Sequence, residues 1–337
     1  MSTSTLQESS LVLPPKPTAA VKEKDVLTNF FLAATAASLA SVITNPLEVV
    51  KTRMQLQNEL VDSSGRAITR VYKNPFQSLA LIARTEGIRG LQSGLNMTIM
   101  YQFMIAGTRF GLYDPAKRAL GVEKGQSTYL VKNYLAGMLS GAVSSFTGNP
   151  FYLVRARLQA SNSGAITRGR HVYTSAFQGF KSVYQTDGVG GFFRGIGGAI
   201  PRVSFGSATQ LSSYEFFKDM LLRRPYLGYS FQDQTVLLHL SASILAGFFC
   251  VTAMNPFDVI SVRLYNQPLD PLTGKGLLYT GPLDCARKTL VTEGVKGAFK
   301  GWTVQYIRLG PHTVFTFLFW EQLKLAYEKI THNHEEV

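Results

Sequence analysis

The sequence has few of the residues from which metal centres, disulfide frameworks and catalytic clusters are built. Only two of its 337 residues are cysteines, Cys250 and Cys285, and they lack the spacing of a metal site or of a disulfide framework. The five histidines are scattered, and none recurs at a fixed distance from a nucleophile or an acid. We therefore expect no metal, no cofactor and no enzyme activity.

Charge is also scarce, and three long segments have none. No Asp, Glu, Lys or Arg occurs in residues 26–47, 133–154 or 234–257. Each segment is long enough to cross the apolar core of a bilayer, which takes roughly 20 residues. The mean hydropathy of +0.06 is nevertheless low for a chain with six spans. A bundle around a water-filled cavity explains the low value, because one face of every helix is then polar.

Acidic residues are outnumbered by basic ones, 21 to 34, which gives a net charge of +13. In a soluble protein such an excess suggests nucleic acid as a partner. Here the basic residues flank the apolar segments and do not form one stripe, so we expect no nucleic acid. The expected partners are anionic lipid and an anionic solute.

One motif occurs three times in the chain. It spans residues 44–57 (Thr-Asn-Pro-Leu-Glu-Val-Val-Lys-Thr-Arg-Met-Gln-Leu-Gln) and returns at 148–159 and 254–265. Its proline recurs about 100 residues apart, which is too long a period for a solenoid, at Pro46, Pro150 and Pro256. Each proline ends an uncharged segment and is followed at once by charge. We therefore expect a kinked helix that turns its charges toward a protein-lined interior.

Each unit continues with a short amphipathic helix and a second span. The short helices are predicted at 74–86, 174–187 and 280–293, and each ends in an acid–glycine pair that suits a helix C-cap. Residues 1–25 are rich in Ser, Thr and Pro and contain no apolar run. The sequence thus predicts a disordered tail (1–25), three repeats (26–125, 126–228 and 229–329) and a C-terminal tail (330–337).

Two sets of positions recur with the units. In the proline motif an acid lies two residues after the proline and a base five residues after it, and we call these six positions the proline-motif ring: Glu48, Lys51, Tyr152, Arg155, Asp258 and Ser261. Unit two lacks the acid and unit three lacks the base, so pairing within units would leave unmatched charges. Pairing each acid with the base of the next unit predicts Glu48–Arg155, Asp258–Lys51 and a neutral Tyr152–Ser261 contact.

The second span of each unit ends in an aromatic residue, an acid and, three residues after the acid, a base. We call these charged positions the aromatic-acid ring: Asp114, Lys117, Glu215, Lys218, Glu321 and Lys324. Aromatic residues followed by charge suit a membrane interface. Three copies in the same register favour a structural ring over three unrelated surface pairs.

Each second span also contains one arginine, at Arg109, Arg202 or Arg308. An ionisable group within a span indicates function, because placing it there without a partner is costly. Arg202 and Arg308 precede the acid of their span by about 20 Å of helix, too far for the side chain to reach the interface. Guanidinium groups bind small oxyanions such as carboxylate or sulfate through paired hydrogen bonds.

Three further residues have two interpretations each. Arg109 lies only five residues before Asp114, so it either binds the anion or pairs with that acid. Gln210 and His312 either line the cavity or form hydrogen bonds between helices.

Three units of two spans, with Pro-x-acid-x-x-base in the first span and aromatic-acid-x-x-base in the second, resemble the mitochondrial carrier family. The resemblance covers about residues 26–329. It implies an all-α membrane protein with six transmembrane helices in three pseudo-threefold repeats, each with a short matrix-side amphipathic helix. It also implies a multi-pass monomer of the inner mitochondrial membrane, with both termini in the intermembrane space and with cardiolipin as the anionic lipid.

The same resemblance assigns roles to the two rings. It implies alternating access between a matrix gate, formed by the proline-motif ring, and a cytoplasmic gate, formed by the aromatic-acid ring. Gln55 and Gln159 are braces of the matrix gate, with Tyr265 in the third place. The Arg202–Val203 position is a substrate contact point, where valine departs from the polar second residue usual for keto acids.

Four stretches are similar to the carriers of oxaloacetate, sulfate and related small dicarboxylates within this family: Val71–Pro75, Gly90–Asn96, Arg263–Gln267 and Arg308–Thr313. This resemblance implies transport of oxaloacetate, with sulfate as counter-substrate or alternative. The last stretch is also similar to oxoglutarate and dicarboxylate carriers. The alternatives are therefore an oxoglutarate or malate exchanger, a proton-leak protein and a membrane adaptor that does not transport.

Overall fold

The computed structural model describes residues 19–57, 71–123, 128–161, 173, 175–223, 236–270 and 276–335. In this part of the chain the regular structure is helical, apart from one isolated bridge between Leu269 and Gly276. The helices are α1 (Ala19–Leu56), α2 (Pro75–Leu91), α3 (Leu95–Ala119), α4 (Tyr129–Ser161), α5 (Ala176–Gly191), α6 (Ile196–Arg223), α7 (Val236–Asn266), α8 (Pro282–Ala298) and α9 (Trp302–Glu335). The all-α prediction is confirmed.

The six long helices form a closed ring. Each packs against the next in the order α1, α3, α4, α6, α7 and α9, and α9 packs against α1. The short helices α2, α5 and α8 pack against α1, α4 and α7, the helices that carry the proline motifs. Helices α1, α4 and α7 also contact one another, so the bundle is narrowest at the proline motifs. The arrangement is the predicted one of three units, each with two long helices and one short helix.

The bundle is apolar outside and polar inside, as expected in a membrane. On α4, Leu139 and Phe146 are about half exposed, at 52% and 53%, whereas Ser140 and Ser144 of the same helix are buried. By length and composition alone, two stretches of the described residues could span a bilayer, Phe30–Leu56 and Leu240–Asn266. All six long helices present polar residues to the interior of the bundle, which agrees with the low mean hydropathy of the chain.

The helices extend beyond two predicted boundaries. Helix α1 begins at Ala19, inside the segment expected to be a disordered tail, and residues 1–18 lie outside the described residues. Helix α9 continues to Glu335 and so enters the predicted C-terminal tail. Each long helix also contains a proline. Three of these prolines lie outside the proline motifs: Pro115 in α3, Pro201 in α6 and Pro311 in α9.

The acid–glycine pairs lie at bends, where C-caps had been expected. Gly87, Gly188 and Gly294 have φ angles of 66°, 63° and 66°, in the left-handed region that favours glycine. The helix does not stop there: α2, α5 and α8 resume after the glycine and run on to Leu91, Gly191 and Ala298. The C-cap prediction is therefore wrong in one respect, because the glycine reorients the helix and does not end it.

Two glycines four residues apart on α4 bring this helix into close contact with α6. A Cβ atom at Gly137 would lie 2.9 Å from the Ala208 Cα, and one at Gly141 would lie 2.9 Å from the Val203 carbonyl oxygen. Helices α4 and α6 therefore touch backbone to backbone beside Arg202. This contact fixes the position of the segment that carries one of the three arginines.

Candidate functional site

A cavity of about 470 Å³ lies at the centre of the ring. All six long helices contribute to its wall. It extends from Lys51 and Arg155 at the proline-motif end to Asp114 and Trp320 at the aromatic-acid end. Its wall includes every residue predicted to contact a substrate: Arg109, Arg202, Val203, Gln210, Arg308 and His312.

The proline-motif ring closes one end of the cavity with the two ion pairs predicted from the sequence. Lys51 Nζ lies 3.1 Å from Asp258 Oδ2, and Arg155 Nη2 lies 3.6 Å from Glu48 Oε2. All four side chains are buried, with at most 6% exposed. Each acid pairs with the base of the next unit, so the predicted direction around the threefold axis is confirmed.

The third contact of this ring differs from the prediction. A neutral Tyr152–Ser261 pair was expected, but Tyr152 Oη donates a hydrogen bond to Asp258 Oδ1 at 3.1 Å. Ser261 Oγ donates to the Phe257 carbonyl of its own helix at 2.8 Å. The long phenol side chain reaches the carboxylate, and a hydrogen bond to an ionised acceptor is stronger than one to a neutral hydroxyl.

The three positions expected to brace this ring behave differently from one another. Gln55 Nε2 donates to Asp258 Oδ2 at 2.7 Å and so supports the Lys51–Asp258 pair directly. Gln159 Oε1 accepts a hydrogen bond from Thr52 Oγ1 at 2.8 Å and thereby joins α4 to α1. Tyr265 packs edge-on against the Tyr152 ring, with centroids 5.2 Å apart. Of these three side chains, Gln55 is the one that hydrogen-bonds a charged member of the ring in the described part of the chain.

Two of the three arginines reach the floor of the cavity, next to the ring acids. Arg308 Nε lies 2.9 Å from Glu48 Oε1. Arg202 Nη2 donates to Tyr101 Oη at 2.7 Å, and its Nε lies 3.7 Å from Asp258 Oδ1. The sequence predicted the arginines and the ring as separate sites, whereas the structure joins them into one charged network.

The remaining predicted residues line the cavity farther from the proline-motif ring and connect neighbouring helices. Arg109 Nη1 donates to Gln210 Oε1 at 3.3 Å. Thr44 Oγ1 donates to the Ala40 carbonyl, so it accepts from His312 Nδ1 at 3.2 Å. The proton is then on Nδ1, and His312 Nε2 accepts from the Gln102 amide at 2.9 Å. Gln210 and His312 thus fulfil both interpretations, because each lines the cavity and links two helices.

The aromatic-acid ring leaves its end of the cavity more open. Lys117 Nζ lies 3.9 Å from Glu215 Oε1, and the two side chains are 24% and 32% exposed. Glu215 also accepts hydrogen bonds from Tyr129 Oη at 2.7 Å and from Asn133 Nδ2 at 2.6 Å. The acids Asp114 and Glu321 are exposed. The described state is therefore closed at the proline-motif end.

A second buried layer, which the sequence analysis missed, supports the proline-motif ring. Arg53 is fully buried and forms two bonds with Glu86, at 2.5 and 2.8 Å. Arg263 lies 2.7 Å from Glu293. Each pair ties a proline-motif helix to the bend of its short helix. The signal was an arginine at a fixed register, seven residues after the proline in all three motifs.

The second unit of this layer is built differently. Arg157 Nη1 donates to Tyr173 Oη at 3.0 Å, and its Nε donates to the Tyr265 carbonyl at 2.9 Å. Asp187, which occupies the position of Glu86, lies 3.1 Å from Arg194. Because aspartate is one methylene shorter than glutamate, the bidentate contact of unit one is replaced here by separate partners.

The charges on the cavity floor do not balance. Four buried bases (Lys51, Arg155, Arg202 and Arg308) share two buried acids, Glu48 and Asp258. Arg109 adds a further positive charge higher in the cavity. Excess buried charge is costly unless it is matched, so the floor of this cavity is suited to a small anion that carries more than one negative charge.

The threefold repeat is shared with a family of known proteins. Residues 22–124, 126–225 and 232–330 each match the family described as "Mitochondrial carrier protein". Over 301 residues the chain is 40% identical to "Solute carrier family 25 member 35" of Mus musculus, covering 89% of this chain and 98% of that protein.

Two fungal proteins are similar over comparable lengths. The "Mitochondrial oxaloacetate transport protein" of Saccharomyces cerevisiae is 40% identical, covering 89% of this chain and 90% of that protein. The "Mitochondrial citrate transporter E" of Aspergillus niger is 36% identical, covering 87% of this chain and 91% of that protein. The threefold match, the ring of six long helices and the similarity to relatives over nearly their full length agree. The chain therefore belongs to the mitochondrial carrier family.

Proposed function

We propose that the protein carries oxaloacetate and related small dicarboxylates, with sulfate as a counter-substrate or alternative, across the inner mitochondrial membrane. The observation that carries the proposal is the cluster of Arg109, Arg202 and Arg308 in one cavity at the centre of the helix ring. Guanidinium groups match carboxylate and sulfate oxygens in geometry as well as in charge. The excess of bases over acids on the cavity floor favours a doubly charged anion.

Each cavity residue has a role in this proposal. Arg202 and Arg308 bind the two charged groups of the anion, and Arg109 attracts the anion from the side of the aromatic-acid ring. Gln210 orients Arg109 through their hydrogen bond. His312 offers its Nδ1 proton to Thr44 and so fixes the wall beside Arg308. Val203 contributes an apolar surface against the carbon chain of a dicarboxylate.

Transport proceeds by alternating access between the two rings. The proline-motif ring is the matrix gate, closed in this state by Lys51–Asp258 and Glu48–Arg155. The aromatic-acid ring is the cytoplasmic gate, and it closes when the anion leaves toward the matrix. The anion changes sides because only one ring is closed at a time.

The names of the relatives support the substrate class. The yeast relative is named an oxaloacetate transport protein and the Aspergillus niger relative a citrate transporter. Both names describe small anions with more than one carboxylate. The stretch Arg308–Thr313 also keeps the oxoglutarate or malate exchanger as the second candidate.

Uptake of labelled sulfate by proteoliposomes tests the proposal. We expect saturable uptake that is accelerated by internal oxaloacetate and inhibited by external oxaloacetate. An oxoglutarate or malate exchanger would prefer malate against internal oxoglutarate and take up little sulfate. A proton-leak protein would give proton current without saturable uptake, and an adaptor would give neither. Any of these three results would overturn the assignment.

A further inference from the structure

Glu48 lies between the proline-motif ring and the cavity, and its closest charged partner belongs to the cavity. Arg308 Nε is 2.9 Å from Glu48 Oε1. The two ring bases are farther from the other oxygen, Oε2, with Lys51 Nζ at 3.5 Å and Arg155 Nη2 at 3.6 Å. Oε2 is buried and has no hydrogen-bond partner among the described residues. Glu48 is therefore bound less closely by its own gate pair than by Arg308.

The second acid of the ring has the opposite preference. Asp258 Oδ2 is held by Lys51 at 3.1 Å and by Gln55 at 2.7 Å, and Oδ1 is held by Tyr152 at 3.1 Å. Arg202 is its most distant partner, at 3.7 Å. Asp258 is thus a gate residue with a complete set of gate partners, and Arg202 is anchored elsewhere. The two acids carry the same charge but differ in their relation to the cavity.

We propose that Glu48 is a placeholder for the substrate: its carboxylate occupies Arg308 while the cavity is empty, and a carboxylate or sulfate group of the anion displaces it. The inference rests on the proposed function and adds a residue to the binding site that acts by competition. Glu48 presents to Arg308 the same chemical group that a dicarboxylate presents. Once displaced, Glu48 keeps Lys51 and Arg155 as neighbours, so its charge stays matched within the ring.

Competition of this kind weakens the apparent affinity for the anion. An anion that needs Arg308 binds only the fraction of molecules in which Arg308 is available, and its apparent Kd rises by the inverse of that fraction. If Arg308 is available about one tenth of the time, removing the competitor tightens binding about tenfold. A residue that served only the gate would have no such effect on affinity.

The test compares Glu48→Gln with the matched control Asp258→Asn. Each variant removes one buried acid from one gate pair, so each makes the cavity more positive by the same amount. Binding of sulfate and of oxaloacetate to the full-length protein in detergent is measured as ligand-induced thermal stabilisation, which reports Kd. We expect Glu48→Gln to bind both anions about tenfold more tightly than Asp258→Asn. Transport falls in both variants because each change breaks one of the two ion pairs of the proline-motif ring.

Two further measurements keep the test decisive. Glu48→Asp retains the charge but shortens the side chain away from Arg308, so it should also tighten binding. Without ligand, Arg308→Gln should lower the melting temperature of the wild type but not of Glu48→Gln. Equal affinities for Glu48→Gln and Asp258→Asn, or strictly additive effects without ligand, would overturn the placeholder role alone. If the wild type binds neither anion, the proposed function is overturned and the placeholder with it.

Discussion

Glu86 neutralises Arg53, a guanidinium with no exposed surface, and Glu86→Gln is expected to be among the most destabilising single changes in unit one. The native pair has two bonds, at 2.5 and 2.8 Å. Breaking a buried ion pair by removing one partner costs about 3–5 kcal/mol. Glu86 is 21% exposed and glutamine keeps one acceptor, so we place the loss at the lower end, about 3 kcal/mol. This loss corresponds to roughly a hundredfold change in the unfolding equilibrium.

The chain supplies its own control and its own reporter for this experiment. Asp187→Asn is the equivalent change in unit two: Asp187 is buried, but its partner Arg194 is 23% exposed and can be solvated once the acid is neutralised, so the cost should be smaller, about 1–2 kcal/mol. Both cysteines, Cys250 and Cys285, are buried, so a thiol-reactive dye reports unfolding during a thermal ramp. Equal destabilisation by Glu86→Gln and Asp187→Asn would refute the reasoning, because a buried ion pair with two bonds would then contribute no more to stability than a partly exposed pair.

Two further changes probe the helix contact and the gate. Gly141→Ala places a methyl group against the Val203 carbonyl and should lower the melting temperature. The control Gly310→Ala has open space around it and should leave the melting temperature unchanged. Equal melting temperatures for the two variants would contradict the close contact. Tyr152→Phe removes the hydroxyl that binds Asp258 and should weaken the closed proline-motif ring by about 1.5 kcal/mol. The reactivity of a cysteine introduced at Ser261 toward a thiol reagent measures the effect, and an unchanged reactivity would show that the hydroxyl is dispensable.

The direction of the proline-motif ring could be predicted because the sequence breaks its own symmetry. With one acid and one base missing, a single direction of pairing leaves no buried charge unmatched. The three units and their spans followed from the uncharged segments and the threefold repeat, whereas the ring of six helices was implied by the resemblance to the carrier family. These features depend on periodicity and charge balance, which a single sequence displays directly.

The network on the cavity floor could not be predicted in the same way. Whether Arg308 meets Glu48 depends on how far two side chains of different units reach across the cavity, and residue spacing along one helix does not contain that distance. The destination of the Tyr152 hydroxyl was misjudged for a similar reason, since a nearby carboxylate outcompeted the expected serine. The arginines seven residues after each proline were visible as a repeat, but their acids are distant in sequence.

The initial rate of labelled-sulfate uptake by proteoliposomes containing Arg308→Ala tests the central claim, that the cavity arginines hold the transported anion. Losing one buried charged contact costs about 2–5 kcal/mol, so saturable uptake should fall by at least roughly thirtyfold at equal membrane insertion. Arg308→Lys should restore part of the rate, because an ammonium provides charge without the planar fork. Uptake near the wild-type rate in Arg308→Ala would contradict the account.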